Sequence, residues 1–193
     1  MTRRSRMTSI SEVNCSDAIE SELLQPKASA WEAEDAVPSQ EGYYSILLKN
    51  PHTVDNDIGK YVGSHNIIYL GIATDSLHTR LTRQALRHKS PATFFRSIGA
   101  VLGYRPLCGS LAGRANQHNY KFSSEDTKKI IDWINRHLQI SWVAVEQPLA
   151  SVKKNLIRRL QPILNSTGNP SPLPGLAELR RECRAIACLE PKS

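Results

Sequence analysis

Aromatic residues are scarce in this chain, at 6% of 193 residues, and no apolar run approaches the ~18–20 residues of a membrane-spanning helix. The four cysteines (Cys15, Cys108, Cys183, Cys188) form no Cys-x-x-Cys pair, which argues against a zinc site or a disulfide framework. There is no His-Glu-x-x-His run, no Gly-Lys-Ser/Thr phosphate loop and no internal repeat, so zinc-peptidase, P-loop and solenoid classes are excluded. The basic opening residues, Met1 to Met7, are not followed by an apolar stretch, so they do not read as a secretory signal. The expected setting is reducing, intracellular and cytoplasmic.

Positive charge is abundant, and it is uneven. Residues 1–75 carry 6 Lys/Arg against 11 Asp/Glu, whereas residues 76–193 carry 19 against 7. A basic surplus of that size over the second part of the chain attracts polyanions, of which nucleic acid is the commonest.

The pattern of apolar residues predicts an α+β fold with a small antiparallel sheet of about three strands packed with helices. Residues 1–41, rich in Ser, Glu and Ala, read as a disordered or weakly ordered tail, with a short helix over 18–24 that Pro26 would stop. Strands are expected at Tyr43–Leu48, Ile67–Ile72 and Ile140–Val145. A helix capped by Asp75 or Ser76 runs to His88, with Leu77, Leu81 and Ala85 inward and Arg80, Arg83 and Arg87 on another face. A second is expected to be capped by Ser90, with Pro91 in its first position. Further helices are expected from Ser123 or Ser124 to Leu138, over 149–161 and over 176–188. The three organisational units are then the tail 1–41, a domain over 42–169, and a C-terminal helical segment 170–193 packing on that domain.

Three pieces stand in order along the predicted elements. Gly42-Tyr43-Tyr44 opens the first strand, Tyr69-Leu70-Gly71 lies on the second, and Arg80 follows Gly71 by nine residues on the first helix. Further on, Leu156-Ile157 and Pro162-x-Leu164-Asn165 close a helix. This ordered set resembles the GIY-YIG nuclease superfamily, and the stretch 94–102 with Asn165 and Asn169-Pro170 is similar to a bacterial, uncharacterised branch of it. The resemblance implies a DNA endonuclease that cleaves phosphodiester bonds with Mg2+ or another divalent cation. Tyr44, Tyr69, Arg80 and Asn165 would be its site residues. One tyrosine would act on the attacking water, helped by a nearby cation because a phenol has a pKa near ~10. Arg80 would neutralise charge growing on the phosphoryl oxygens, and Asn165 would orient local backbone or bind a phosphate oxygen.

In the superfamily a glutamate three residues before the Leu-Ile pair anchors the metal. That position here is Lys153, which offers no ligand oxygen and repels a cation. Glu146, just after the third strand, is the remaining weak candidate for a metal ligand. Lys153, Lys154 and Arg158, with Arg83 and Arg87, are the expected contacts to nucleic acid, duplex DNA in the first instance. His88, eight residues past Arg80, is a further candidate for the site. Two functions follow: a divalent-metal endonuclease, degenerate and weakly active, or a catalytically silent domain that binds nucleic acid through the same basic face.

Overall fold

The computed structural model describes residues 16–54, 58–116 and 118–189. Its centre is a four-stranded antiparallel sheet in the order β1-β4-β2-β3. The strands are β1 (Ala28–Ser29), β2 (Gly42–Leu48), β3 (Ile67–Ala73) and β4 (Leu138–Ala144). The short apolar run of β2 forms the middle of the sheet, and all seven of its residues are buried. A strand buried on both faces requires helices on both sides.

Alternation along β2 divides its side chains between two cores. Tyr43 joins Ile67, Leu70, Leu156, Ile157 and Leu160 on one side, covered by α6 (Ala150–Leu160) and by α1, residues 16–23. Tyr44, Ile46 and Leu48 join the larger core on the other side. That side is covered by a π-helical segment His78–Leu86, by α4 (Thr93–Val101), α5 (Ser124–His137) and α7 (Leu176–Cys188). Two short helices, α2 (Ala33–Ala36) and α3 (Ile58–Tyr61), complete the fold.

Capping chemistry accounts for two of the helix starts. The Ser123 hydroxyl accepts from the Asp126 amide, and the acidic first turn and basic last turn of α5 both oppose its dipole. The Ser76 hydroxyl accepts from the Thr79 amide, one of the two caps expected there. The helix expected to begin at Ser90-Pro91 instead begins at Thr93, after extended Ala92 and without a side-chain cap.

The expectation of an unstructured tail over 1–41 needs correction for residues 16–41; residues 1–15 lie outside the described residues. Ile19 and Leu23, one helical turn apart, bury the inner face of α1 against the sheet. Two buried serines on adjacent strands fix its end: Ser45 donates to the Leu23 carbonyl at 2.6 Å and Ser141 to the Glu22 carbonyl at 2.8 Å. The next residues form β1 along the outer edge of β4, an unforeseen fourth strand. Composition undercounted this segment because its few apolar residues sit at the right spacing.

Candidate functional site

Tyr44 and Tyr69 come from neighbouring strands and face the same layer, with ring centroids 6.3 Å apart. Their spacing depends on a missing side chain. Tyr44 stands opposite Gly71 in the β2–β3 ladder, and a Cβ on Gly71 would lie 2.0 Å from the Tyr44 ring. Only glycine leaves that ring its place. Tyr69 packs in turn on Phe94 of α4, at 5.3 Å between centroids.

Burial pushes the Tyr44 phenol far above its usual range, and neighbouring Tyr69 adds to the rise; the Arg80 guanidinium beside its hydroxyl offsets this only in part. The Tyr69 phenol is likewise pushed up by burial, against the opposing pull of Arg80, Arg180 and Arg96. Both phenols are therefore neutral at pH 7, and each offers one O–H donor. Arg80, on the π-helical segment, is the cation common to both. Its guanidinium is oriented by Gln84, one turn on, which accepts from Nη1.

Asn165 lines a cavity that also contains Tyr69, and it orients backbone, one of the two tasks expected of it. Its Oδ1 accepts from the Leu70 amide at 2.8 Å, and its Nδ2 donates to the Leu70 carbonyl at 2.9 Å. The Leu164 amide donates to the Ile68 carbonyl. This segment thus covers the free edge of β3 and holds the backbone on both sides of Tyr69. Asn169 donates to the carbonyls of Pro162 and Asn165 and keeps the turn in shape.

Two cavities adjoin at this edge and share Thr93, Ser166 and Arg180 as a common wall. The larger, about 320 Å3, contains Tyr69, Lys153, Lys154 and Thr167. The smaller, about 280 Å3, contains Arg96, Ser97, His118, Tyr120 and Arg184. Burial holds the Lys153 ammonium below the usual lysine range, and the charge of Arg80 adds to the effect. Burial also lowers Arg96 and Arg180, each with further arginine neighbours. Among the described residues, no ion pair joins Arg80, Arg96, Lys153, Lys154, Arg180 or Arg184 to a carboxylate.

The remaining expected contacts lie elsewhere. Arg83 and Arg158 are exposed and line neither cavity. Arg87 turns toward the N-terminal segment, where it donates to the Ala30 carbonyl at 2.9 Å. His88 adopts a left-handed backbone (φ 53°) and stacks on Phe95 at 4.5 Å, away from both cavities. Glu146 is exposed beyond β4 and lines neither cavity. Arg96, Arg180 and Arg184 were missed in the sequence. The one available signal was the four-residue spacing of Arg180 and Arg184, which puts them on one face of the last helix.

A hard divalent ion takes oxygen ligands, carboxylates above all. No Asp or Glu lines either cavity, and among the described residues no three His, Cys, Asp or Glu side chains group to hold a metal. The residues present do not fit such an ion. They fit an anion, because uncompensated cations, neutral phenols and serine and threonine hydroxyls are all donors.

No helix among the described residues is long and apolar enough to cross a membrane. A family model described as "GIY-YIG catalytic domain" matches residues 42–185, from the first residue of β2 into α7. No curated protein and no solved structure matches the chain.

Proposed function

Since the chain belongs to the GIY-YIG catalytic-domain family, we propose that it is a degenerate DNA endonuclease, which holds the backbone of duplex DNA in the groove formed by the two cavities and cleaves it weakly or not at all with Mg2+. One observation carries the reading: half-buried cations converge beside Tyr69 without a carboxylate among the residues lining the cavities. Charges partly withdrawn from water gain from a counter-charge. A phosphodiester supplies the missing counter-charge.

Each residue then has a defined part. Arg80 lines neither cavity; held by Gln84 and the Tyr44 hydroxyl, it adds positive charge behind Tyr69. The Tyr69 hydroxyl donates to a phosphate oxygen or to a water held beside it, while Tyr44, fully buried and lining neither cavity, is hydrogen-bonded to Arg80. Lys153 and Lys154 neutralise the strand as point charges, and Asn165 keeps Tyr69 in place through the Leu70 backbone. What the site lacks is a group to take the proton of the attacking water at pH 7, since burial keeps both phenols protonated. Lys153 also opposes entry of a divalent cation, at a cost of several kcal/mol for charges ~4 Å apart at an effective dielectric of ~20. Binding is thereby retained while hydrolysis is impaired.

The test is fluorescence anisotropy with labelled duplex DNA across a salt series, with the nicking of supercoiled plasmid followed alongside. The reading expects log affinity to fall steeply and linearly with log salt. Affinity that is flat with salt would refute it.

A further inference from the structure

Arginines in this protein are held in two ways. Arg105 and Arg159 are paired with carboxylates, Glu182 in the first case and Asp17 and Glu20 in the second. The arginines around the smaller cavity have no carboxylate partner among the described residues. Arg180 donates from Nε and Nη2 to the Ser97 hydroxyl, from Nη1 to the Ser166 hydroxyl, and from Nη2 to the Leu164 carbonyl. Arg96 donates to the Asn119 side-chain oxygen at 3.0 Å and lies 5.8 Å from the centre of the Tyr120 ring. Arg184 Nη1 lies 3.2 Å from His118 Nδ1. Neutral partners fix a guanidinium in space and leave its charge unspent, and both Arg96 and Arg184 keep most of their five donors free for a ligand.

We propose that the smaller cavity is a second phosphate subsite, and that it takes the phosphate next along the same strand as the one lying at Tyr69. This rests on the nucleic-acid reading above and adds to it. Arg96 and Arg184 make the contacts, and Arg180 stands between the two positions as the shared wall. Because the cavities share Thr93, Ser166 and Arg180, a strand passes from one to the other without leaving the protein surface. The regular spacing of phosphates along a nucleic acid suits paired anion sites, and a single small anion would leave one of them unfilled. Neither cavity is formed by Arg83, Arg87 or Arg158, so the track runs along α4 and α7 and bypasses these three arginines.

The test compares thymidine 3′,5′-bisphosphate, which carries two phosphates one nucleoside apart, with thymidine 5′-monophosphate, titrated calorimetrically into the full chain at low salt. The bisphosphate is expected to bind at least about 10-fold more tightly, since the second contact is intramolecular. Arg184→Gln and Arg96→Gln should each collapse that ratio toward one. Arg184→Gln should also reduce the slope of log affinity against log salt on duplex DNA by about one phosphate contact. Equal affinities for the two ligands in the unaltered protein would overturn the subsite, a comparison that needs no variant to fold. A bisphosphate advantage untouched by Arg184→Gln would overturn it equally. Salt-dependent duplex binding without a bisphosphate advantage removes only the subsite. Duplex binding that is flat with salt removes the nucleic-acid reading as well.

Discussion

Gly71 lies directly under the ring of Tyr44, close enough that a single added methyl group would stand 2.0 Å from Cζ and 2.3 Å from the hydroxyl oxygen. The Tyr44 side chain is fully buried and cannot swing clear. Gly71→Ala is therefore expected to cost about 1–3 kcal/mol as an overpacked core position and to displace the Tyr44 hydroxyl from Arg80. Chemical denaturation should register the first effect, and the second should appear as weaker phosphate binding in the folded fraction. Unchanged stability with unchanged binding would mean that the ring does not need this space.

Removal of residues 1–39 should destabilise the protein rather than leave it intact. The cut deletes Ile19, Leu23, Ala30, Ala33 and Val37 from the cores, and it strips Ser45 and Ser141 of the carbonyls to which they donate. Loss of several buried apolar groups and two buried hydrogen bonds should lower the melting temperature by more than about 10 °C, or abolish folding. A truncated chain that melts with the full-length protein would contradict the docking of this segment.

His88 provides a pH-dependent stability term. Burial, with Arg96 and Lys121 contributing, pushes its imidazole down to about 4 from the usual 6.5. The folded state thus binds fewer protons than the unfolded state between those values. Stability from this group is complete above about pH 6.5 and is lost as pH falls toward 4. His88→Asn keeps a side chain that tolerates the left-handed backbone and should flatten this part of the profile. Thermal melts of both proteins at pH 7 and pH 5 measure the difference, which should narrow at the lower pH. A constant gap would mean that His88 protonates freely when folded.

Much of this architecture was legible in the sequence because the signals were local. β2 and β3 follow from short β-prone runs, and α7 over Leu176–Cys188 follows from its apolar spacing. The ordered tyrosines, Gly71 and Arg80 pointed to the family that the match over 42–185 gives. Non-local relationships were not legible. β1 is two residues long, and its pairing with β4 spans more than a hundred residues of chain. Asn165 was expected to orient backbone or to bind phosphate, but nothing local indicated that the backbone would be that of Leu70 on β3. The helix at 176–188 was read for its buried face, so Arg180 and Arg184 went unassigned. That both arginines face a cavity depends on how α7 meets α4, and spacing within α7 cannot fix that.

Lys153 is where sequence and site meet most directly. It stands three residues before the Leu156-Ile157 pair, and it lines the cavity that contains Tyr69. Lys153→Glu should weaken duplex binding, because it replaces a neutralising charge with a repelling one. In exchange it gives a divalent ion its one carboxylate in the groove, so Mg2+ should restore part of the lost affinity in this variant and not in the parent protein. Anisotropy titrations with and without Mg2+ read both effects. Identical Mg2+ dependence in the two proteins would show that this position does not govern metal entry.

The most direct test of the central claim is the initial rate at which the unaltered chain nicks supercoiled plasmid in Mg2+, under salt conditions where anisotropy shows the DNA bound. An anion-binding groove without a fitted metal site or a base for water predicts a bound, essentially uncut plasmid. Rapid Mg2+-dependent nicking, lost on Tyr69→Phe and unaffected by Glu146→Gln, would contradict that account and require a metal site outside the residues assigned to the groove.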